Sequence, residues 1–339
     1  MKLFPFSSTT DQKAFAQTFS QGPSLRRSPY DVGTLPPELL RQFLHTAPAD
    51  ASEFWIVEEE SGKLLGTVGA SLMPTYPGQG AIGFFEVSED KAPQASAKLL
   101  EAAALWLKSK GCHTAIGPMN LSSWFPYRFR TNFEDSQYFS WEPNNPPHYP
   151  TLWKDSGFLS LQGYHSTGVG NLSALVTATE ESFSTAKANG YGFRSFDPER
   201  VLEREVPILY RLSMGGFSKN FLFEPISEAL FTQLYVPIAK KMDFSYAFFV
   251  TDSTDKEVGF FFCFVDQSYL VLKSTTVDPS HRGKRLSNAM TYLAGKRALE
   301  HGVNQFIPAL VKSGAQSESY GKKGELQWTH HYELYRKNL

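Results

Sequence analysis

The chain has 339 residues, of which 41% are hydrophobic and 14% aromatic, enough to form globular lobes with substantial cores. Its 33 basic and 34 acidic residues leave a net charge of −1, which favours neither nucleic acid nor an anionic membrane as a partner. Two cysteines provide no disulfide framework. The first residues lack the apolar core of a signal peptide, and no apolar run reaches the roughly 18 residues of a membrane helix. We therefore expect a cytoplasmic protein that acts on a small molecule.

The first half of the chain has the pattern of an α/β unit. Residues 54–70 alternate as two strands around a polar turn, and residues 81–87 form a third strand. A helix follows, with Gly111 in the position of a C-cap glycine. Its apolar face carries Leu99, Leu100, Ala103, Trp106 and Leu107. A second helical segment, residues 152–158, contains Trp153.

An unusual segment, residues 118–150, lies between the last strand of this unit and the Trp153 helix. It is rich in aromatic residues, proline and asparagine, and structureless loops of this length are usually functional or disordered. Trp124, Tyr127 and Arg128 offer flat apolar faces and a fork of donors that suit a small acceptor bearing a carboxylate or phosphate. The alternative is a structural seal between two lobes, in which Arg128 pairs with an acidic neighbour such as Glu134.

The second half repeats the pattern of the first. Residues 246–262 again form two strands around a polar turn, with Gly259 where the first half has Gly66. A β-branched strand, residues 269–277, then leads through a basic turn into a helix that starts at Leu286. Because the first amides of a helix lack intrahelical partners, a basic turn at this point favours an anion. Gly302, a short strand at 305–310 and a short helix follow.

This order of elements resembles the GNAT acetyltransferase superfamily, in which a strand ending in V-x-P-x-x-R-G-x-G-x-G/A holds the CoA pyrophosphate. The residues that match this first motif are Val277, Pro279, Arg282 and Gly283. The family's later motif, Y-x-K-x-G-F, is matched by Tyr320, Lys322 and Gly324. The resemblance implies acetyl-CoA as cosubstrate, no metal, and Tyr320 as the acid that protonates the CoA thiolate. It places cofactor contacts at Thr276, Val277, Arg282, Gly283, Lys284, Arg285, Leu286 and Ser287.

The chain departs from the two motifs of the family at three positions, two in the first motif and one in the second. Arg285 and Ser287 replace preferred glycines, and Glu325 replaces the usual phenylalanine. Every non-proline residue still supplies an amide, but the close backbone approach that glycine allows is put in doubt.

The resemblance implies an α/β fold of two tandem GNAT-like lobes, each a mixed, mostly antiparallel sheet flanked by helices. We place the lobes at residues 1–165 and 166–339. In the first lobe the corresponding turn carries Glu89, Asp90 and Pro93, which would repel a pyrophosphate or offer it no amide, and Trp153 replaces the tyrosine. The first lobe is therefore predicted to be degenerate, and the second to bind acyl-CoA.

The function predicted from this pattern is transfer of an acyl group, usually acetyl, to a small amine. Two alternatives remain open. One is a binding or regulatory module that retains a relict CoA site, which Arg285 and Ser287 favour. The other is a Fem-type peptidyltransferase that uses aminoacyl-tRNA, although the long charged helical arm typical of those proteins is missing from the pattern. Neither the acceptor nor the oligomeric state can be predicted from the sequence.

Overall fold

The computed structural model describes residues 1–6, 18–19, 25, 50–134, 138–239 and 242–339. Most of the segment 7–49, which we assigned to the first lobe, lies outside the described residues. Within the described ranges, every helix is too short or too polar to cross a lipid bilayer.

The first half contains six strands and two α-helices among its described residues. The strands are β1 (Lys2–Pro5), β2 (Ser52–Glu58), β3 (Leu64–Leu72), β4 (Gln79–Val87), β5 (Thr114–Gly117) and β6 (Phe129–Arg130). The helices are α1 (Ala92–Ser109) and α2 (Tyr149–Asp155). The predicted helix ending at Gly111 is confirmed, and this glycine has a φ of 85° that only glycine adopts without strain.

The second half contains the remaining elements. Its strands are β7 (Leu159–Gly170), β8 (Gly192–Ser195), β9 (Phe248–Thr251), β10 (Glu257–Asp266), β11 (Tyr269–Val277), β12 (Gln305–Pro308), β13 (Val311–Lys312) and β14 (Glu325–Asn338). Its helices are α3 (Leu172–Ala188), α4 (Val206–Phe217), α5 (Glu228–Ala239) and α6 (Leu286–Glu300). The short helix with Tyr320 is a 3-10 helix, Gln316–Lys322.

A single sheet joins the two halves in the order β1-β2-β3-β4-β5-β14-β7-β12-β11-β10-β9-β8. Read from its two ends, the order is symmetric about the contact between β14 and β7. The β4–β5 and β11–β12 pairs are parallel and the other pairs are antiparallel, as two copies of one mixed sheet require. The short strands β6 and β13 pair with β14 and β7 at matching places. The predicted tandem arrangement is confirmed.

Each half completes the sheet of the other. The C-terminal strand β14 pairs with β5 of the first half. β7, which begins at Leu159 in the predicted first lobe, pairs with β12 of the second half. β7 also spans the predicted boundary at residue 165 and pairs with β14 along most of its length. The two lobes are therefore joined through backbone hydrogen bonds in addition to packed side chains.

Two glycines confirm the correspondence between the halves at the level of single residues. Gly66 faces Val87 across β3 and β4, and Gly259 faces Val277 across β10 and β11. A Cβ at Gly66 would lie 2.7 Å from the Glu86 carbonyl oxygen, and one at Gly259 would lie 2.8 Å from that of Thr276. Both positions require glycine for the same reason, a close approach of two backbones.

Candidate functional site

The parallel central strands separate in both halves, after three paired residues in β4–β5 and four in β11–β12. β11 and β12 pair only from Tyr269 to Leu272, and the Ala309 amide donates to the Leu272 carbonyl at 3.1 Å as the last contact. From Lys273 onward β11 has no partner on the β12 side among the described residues. Lys273 is also the extra residue of a β-bulge opposite Phe262 and Cys263. Bulges bend strands and are enriched beside active sites, so an opening begins at Lys273.

The turn after β11 leaves unpaired amides at the start of α6. The first amide of α6 that has a backbone acceptor is that of Ala289, which donates to the Arg285 carbonyl at 3.1 Å. Within the described chain, the amides of Leu286, Ser287 and Asn288 have no hydrogen-bond acceptor. Three free amides at the positive end of a fifteen-residue helix form an anion site.

The two positive φ values in this turn explain one departure from the family pattern. Gly283 has φ 81°, and a Cβ there would meet open space. Arg285 has φ 54°, which is the left-handed conformation that glycine adopts most easily. The position thus keeps the backbone shape for which the family uses glycine, with an arginine in it.

The predicted cofactor residues fall into three structural groups. The side chains of Thr276, Val277 and Leu286 are buried in the protein, so a ligand could reach only their backbone. The cations of Arg282 and Lys284 are held by protein groups. Arg282 donates to the carbonyls of Gly216 at 2.7 Å and Val277 at 3.3 Å.

The Lys284 ammonium donates to the Tyr191 hydroxyl at 2.8 Å. Arg285 is exposed, and the Ser287 hydroxyl accepts from Thr275 at 3.3 Å. Both Gly283 and Arg285 border the free amides. The structure therefore gathers the predicted loop residues at one helix terminus, with the amides and Arg285 as the free groups.

Tyr320 lies on the other side of this helix start. Its hydroxyl donates to Asn288 Oδ1 at 2.8 Å, and burial, the largest effect, raises its pKa above the usual value. The neighbouring thiol of Cys263 is fully buried, and burial raises its pKa as well. Tyr320 therefore stays protonated at neutral pH and is within reach of α6. Sequence reasoning missed Asn288, because its role depends on a contact across 32 residues.

In the first lobe the corresponding opening is filled. The Met119 amide donates to the Ile82 carbonyl, just as Ala309 does to Leu272, so Asn120 corresponds to Leu310. Asn120 Oδ1 accepts from the Phe84 amide at 2.7 Å. A Cβ on Gly83 would clash with the Met119 carbonyl, so no side chain can stand where the second lobe has Lys273.

Aromatic side chains close the rest of the first-lobe site. Trp153, at the predicted tyrosine position, is fully buried and packs edge-on against Phe85 and Phe129. The Tyr149 hydroxyl accepts from the Val87 amide at 3.0 Å and donates to Glu86. In the first lobe the Asn120 side chain therefore occupies the strand opening, and Trp153 is buried at the predicted tyrosine position.

The predicted substrate residues of segment 118–150 take two different roles. Trp124 lies against α5, edge-on to Phe231, and its Nε1 donates to the Glu224 carbonyl at 2.7 Å. Trp124 thus joins the two halves. Arg128 points instead to the opening of the second lobe, where its Nη1 donates to the Leu310 carbonyl at 3.3 Å.

The guanidinium of Arg128 is clamped between two rings. Its carbon lies 3.9 Å from the centre of the Tyr127 ring and 4.0 Å from that of Tyr164. The ion pair with Glu134 that a seal would use does not form between these two described residues. Lys273, which sequence reasoning missed, lies close enough to Arg128 for their charges to interact.

Neither a protein-family model nor a curated protein sequence matches this chain. Solved structures do match over its length. A tandem GNAT protein from the clavulanic acid biosynthesis pathway has a TM-score of 0.52, covering 99% of this chain and 98% of its own at 10% identity. The fold is a tandem GNAT fold.

Two further structures agree with this assignment. A GNAT protein from Kribbella flavida has a TM-score of 0.54 at 9% identity and covers 100% of this chain and 71% of its own. A glucosamine N-acetyltransferase region in a fungal multi-domain β-N-acetylglucosaminidase gives 0.54 at 12% identity over 99% of this chain. This chain spans 38% of the fungal protein's length. At these identities the likeness is one of fold, so the chain has an acyltransferase fold.

Proposed function

We propose that the second lobe transfers an acyl group, in the simplest case acetyl, from acyl-CoA to a small amine. The observation that carries this proposal is the difference between the two strand openings of the tandem GNAT fold. Asn120 caps the backbone of the first opening, whereas Leu310 stands at the corresponding place in the second and has no such side chain. The second opening also lies beside free helix amides and a protonated tyrosine.

The residues at the start of α6 suit the pyrophosphate of CoA. The amides of Leu286, Ser287 and Asn288 can donate to its oxygens, and Gly283 leaves open space next to them. Arg285 is exposed at the same terminus and adds a positive charge. The Arg282 and Lys284 side chains hold the turn in shape through Gly216 and Tyr191.

The chemistry follows from groups along β11. The amine attacks the thioester carbonyl, a C–N bond forms, the C–S bond breaks, and the amine nitrogen releases its proton to solvent. The Phe84 amide in the first lobe points at Asn120, so the matching amide of Ser274 is our candidate for stabilising the developing oxyanion. Tyr320 then gives its proton to the departing thiolate, which requires the O–H to turn from Asn288 towards the sulfur.

The direct test measures thiol release from acetyl-CoA by the full chain over a panel of small amines. We expect amine-dependent release that Lys284→Glu with Arg285→Glu abolishes, because two acidic groups at the helix start oppose the pyrophosphate. The control is Lys187→Glu with Lys296→Glu, which makes the same charge change at exposed positions away from the turn. Release without any amine dependence, or release that survives the loop variant, refutes the proposal.

A second candidate is a CoA-binding protein without catalysis. The specific observation in its favour is that Arg282 and Lys284 are occupied by protein groups and that the Tyr320 proton is donated to Asn288. Stoichiometric CoA binding together with no turnover across the amine panel would support this function over acyl transfer.

A further inference from the structure

Two cationic side chains without acidic partners face each other at the opening between β11 and β12. Arg128 comes from the aromatic segment of the first half and Lys273 from the bulge of β11. No carboxylate among the described residues pairs with either of them. Ion pairs do form around nearby Arg130, which is fully buried beside Glu142. Arg128 and Lys273 have no comparable acidic partner among the described residues.

Arg128 is fixed in place and has donors to spare. The residue is only 9% exposed, and Tyr127 and Tyr164 hold its guanidinium plane from two sides. One donor, Nη1, reaches the Leu310 carbonyl, while the buried Nε has no hydrogen-bond partner in the described structure. A buried donor without a partner costs free energy unless a ligand or water satisfies it. A rigid guanidinium with free donors matches a carboxylate or phosphate.

Lys273 adds a second positive charge to the same place. It is partly exposed at the point where β11 leaves β12, and its ammonium has no hydrogen-bond acceptor within the described chain. Burial and the charge of Arg128 lower its pKa to about 8, so the two groups repel each other in the absence of an anion. An anion between them would satisfy donors on both and remove the repulsion.

We propose that Arg128 and Lys273 together bind the carboxylate or phosphate of a small reactant at the opening of the second lobe. The identity of that reactant rests on the proposed acyltransferase function, while the anion site itself does not. The anionic group has two possible sources. It can belong to the amine acceptor, or it can be the terminal carboxylate of a dicarboxylic acyl group on CoA.

The test is titration calorimetry on the full chain at pH 7 with succinate, inorganic phosphate and the neutral analogue succinamide. We expect succinate or phosphate to bind and succinamide to bind at least tenfold more weakly. Arg128→Gln and Lys273→Met should each weaken anion binding by about tenfold to a hundredfold, the usual effect of losing a charged hydrogen bond. Arg128→Lys, which keeps the charge without the fork, should lie between wild type and Arg128→Gln.

The matched control is Lys312→Met, an exposed lysine two positions beyond Leu310, which should leave the anion affinity unchanged. Equal binding of succinate and succinamide by the wild-type chain overturns the proposal, and this comparison needs no variant to fold. Unchanged anion affinity in both Arg128→Gln and Lys273→Met overturns it as well.

Two further titrations separate the sources of the anion. If it belongs to the acyl group, succinyl-CoA binds more tightly than acetyl-CoA, and Lys273→Met removes the difference. If it belongs to the acceptor, succinate or phosphate still binds when acetyl-CoA is saturating. A titration of the wild-type chain with acetyl-CoA distinguishes a failure of the proposed acyltransferase function from a failure of the proposed anion site. Anion binding without CoA binding contradicts the proposed function, and CoA binding without anion binding contradicts only the present inference.

Discussion

Asn120 and Leu310 occupy corresponding places in the two lobes and have opposite effects on the strand opening beside them. Asn120 Oδ1 accepts a hydrogen bond from the Phe84 amide at 2.7 Å. Leu310 has an apolar side chain, and its carbonyl accepts a hydrogen bond from Arg128 Nη1 at 3.3 Å. The asparagine side chain therefore fills the strand opening of the first lobe, whereas the leucine leaves the strand opening of the second lobe available to a ligand.

Asn120→Ala should reduce stability without affecting CoA binding. The variant leaves the Phe84 amide without its acceptor, and an unsatisfied buried donor costs about 1–3 kcal/mol. Chemical denaturation measures the change in the free energy of unfolding. The control is Asn189→Ala at an exposed position, which should stay within about 0.5 kcal/mol of wild type. A loss of CoA affinity in Asn120→Ala would contradict the assignment of the site to the second lobe.

Gly259→Ala and Gly66→Ala form a matched pair. Each added methyl meets a backbone carbonyl, that of Thr276 at 2.8 Å or that of Glu86 at 2.7 Å, so both should destabilise the fold by about 1–3 kcal/mol. Only Gly259→Ala displaces the strand that leads into the α6 turn, and only it should weaken CoA binding. Calorimetry on both variants checks this, and an equal loss of CoA affinity in the two would be inconsistent with one functional lobe.

Tyr320→Phe should lower the rate of acyl transfer by about 10² to 10⁴ while leaving acetyl-CoA affinity near the wild-type value, because it keeps the ring and removes the proton. Steady-state kinetics with an acceptor from the amine panel measures the first quantity, and calorimetry measures the second. Tyr292→Phe on α6 is the control, since its hydroxyl contacts Glu180 at 3.4 Å away from Asn288. Near-normal turnover in Tyr320→Phe would show that the ring only packs against the ligand.

Lys273→Met should raise stability at neutral pH, and the gain should fade at high pH. The folded-state pKa of Lys273 is about 8, below its ordinary value of 10.5, so the native state carries a cost whenever this lysine is protonated. That cost is fully present below pH 8 and disappears as pH rises towards 10.5. At 1.36 kcal/mol per pKa unit, the gain is at most about 3 kcal/mol.

Denaturation of wild type and Lys273→Met between pH 6 and about 10.5 tests this dependence. The charged group that acts on the ammonium is the Arg128 guanidinium, and the Tyr127 and Tyr164 rings lie against that guanidinium. A stability difference that does not change with pH would rule out this origin. Lys312→Met, at an exposed position, should show no such difference.

The sequence predicted the repeated elements well because their signals are local. The strand at residues 269–277 matches β11 over its full length, and Gly111 and Gly302 end helices with φ values of 85° and 80°. The basic turn before α6 was also visible in the sequence, because a basic turn between a strand and a helix is a contiguous pattern. The orientation of its side chains could not be predicted, because Arg282 and Lys284 are held by Gly216 and Tyr191, which are distant in the sequence.

The exchange of β7 and β14 between the halves could not be predicted from periodicity. Alternation of polar and apolar residues along a strand carries no information about which strand lies next to which. Lys273 was missed for a related reason. Lys273 is a lysine within an otherwise apolar strand. Its significance depends on a β-bulge and on the proximity of Arg128, which lies 145 positions earlier in the chain, and neither is visible in the local sequence.

We expect one lobe of this tandem GNAT fold to bind acyl-CoA and the other not to bind it. The stoichiometry of acetyl-CoA binding to the full chain, measured by titration calorimetry with and without Lys284→Glu and Arg285→Glu, tests this most directly. One site per chain is expected, lost in that double variant and retained in a variant with Glu89→Lys and Asp90→Lys in the first lobe. Two equivalent sites, or a single site that survives the Lys284→Glu and Arg285→Glu changes, would contradict it.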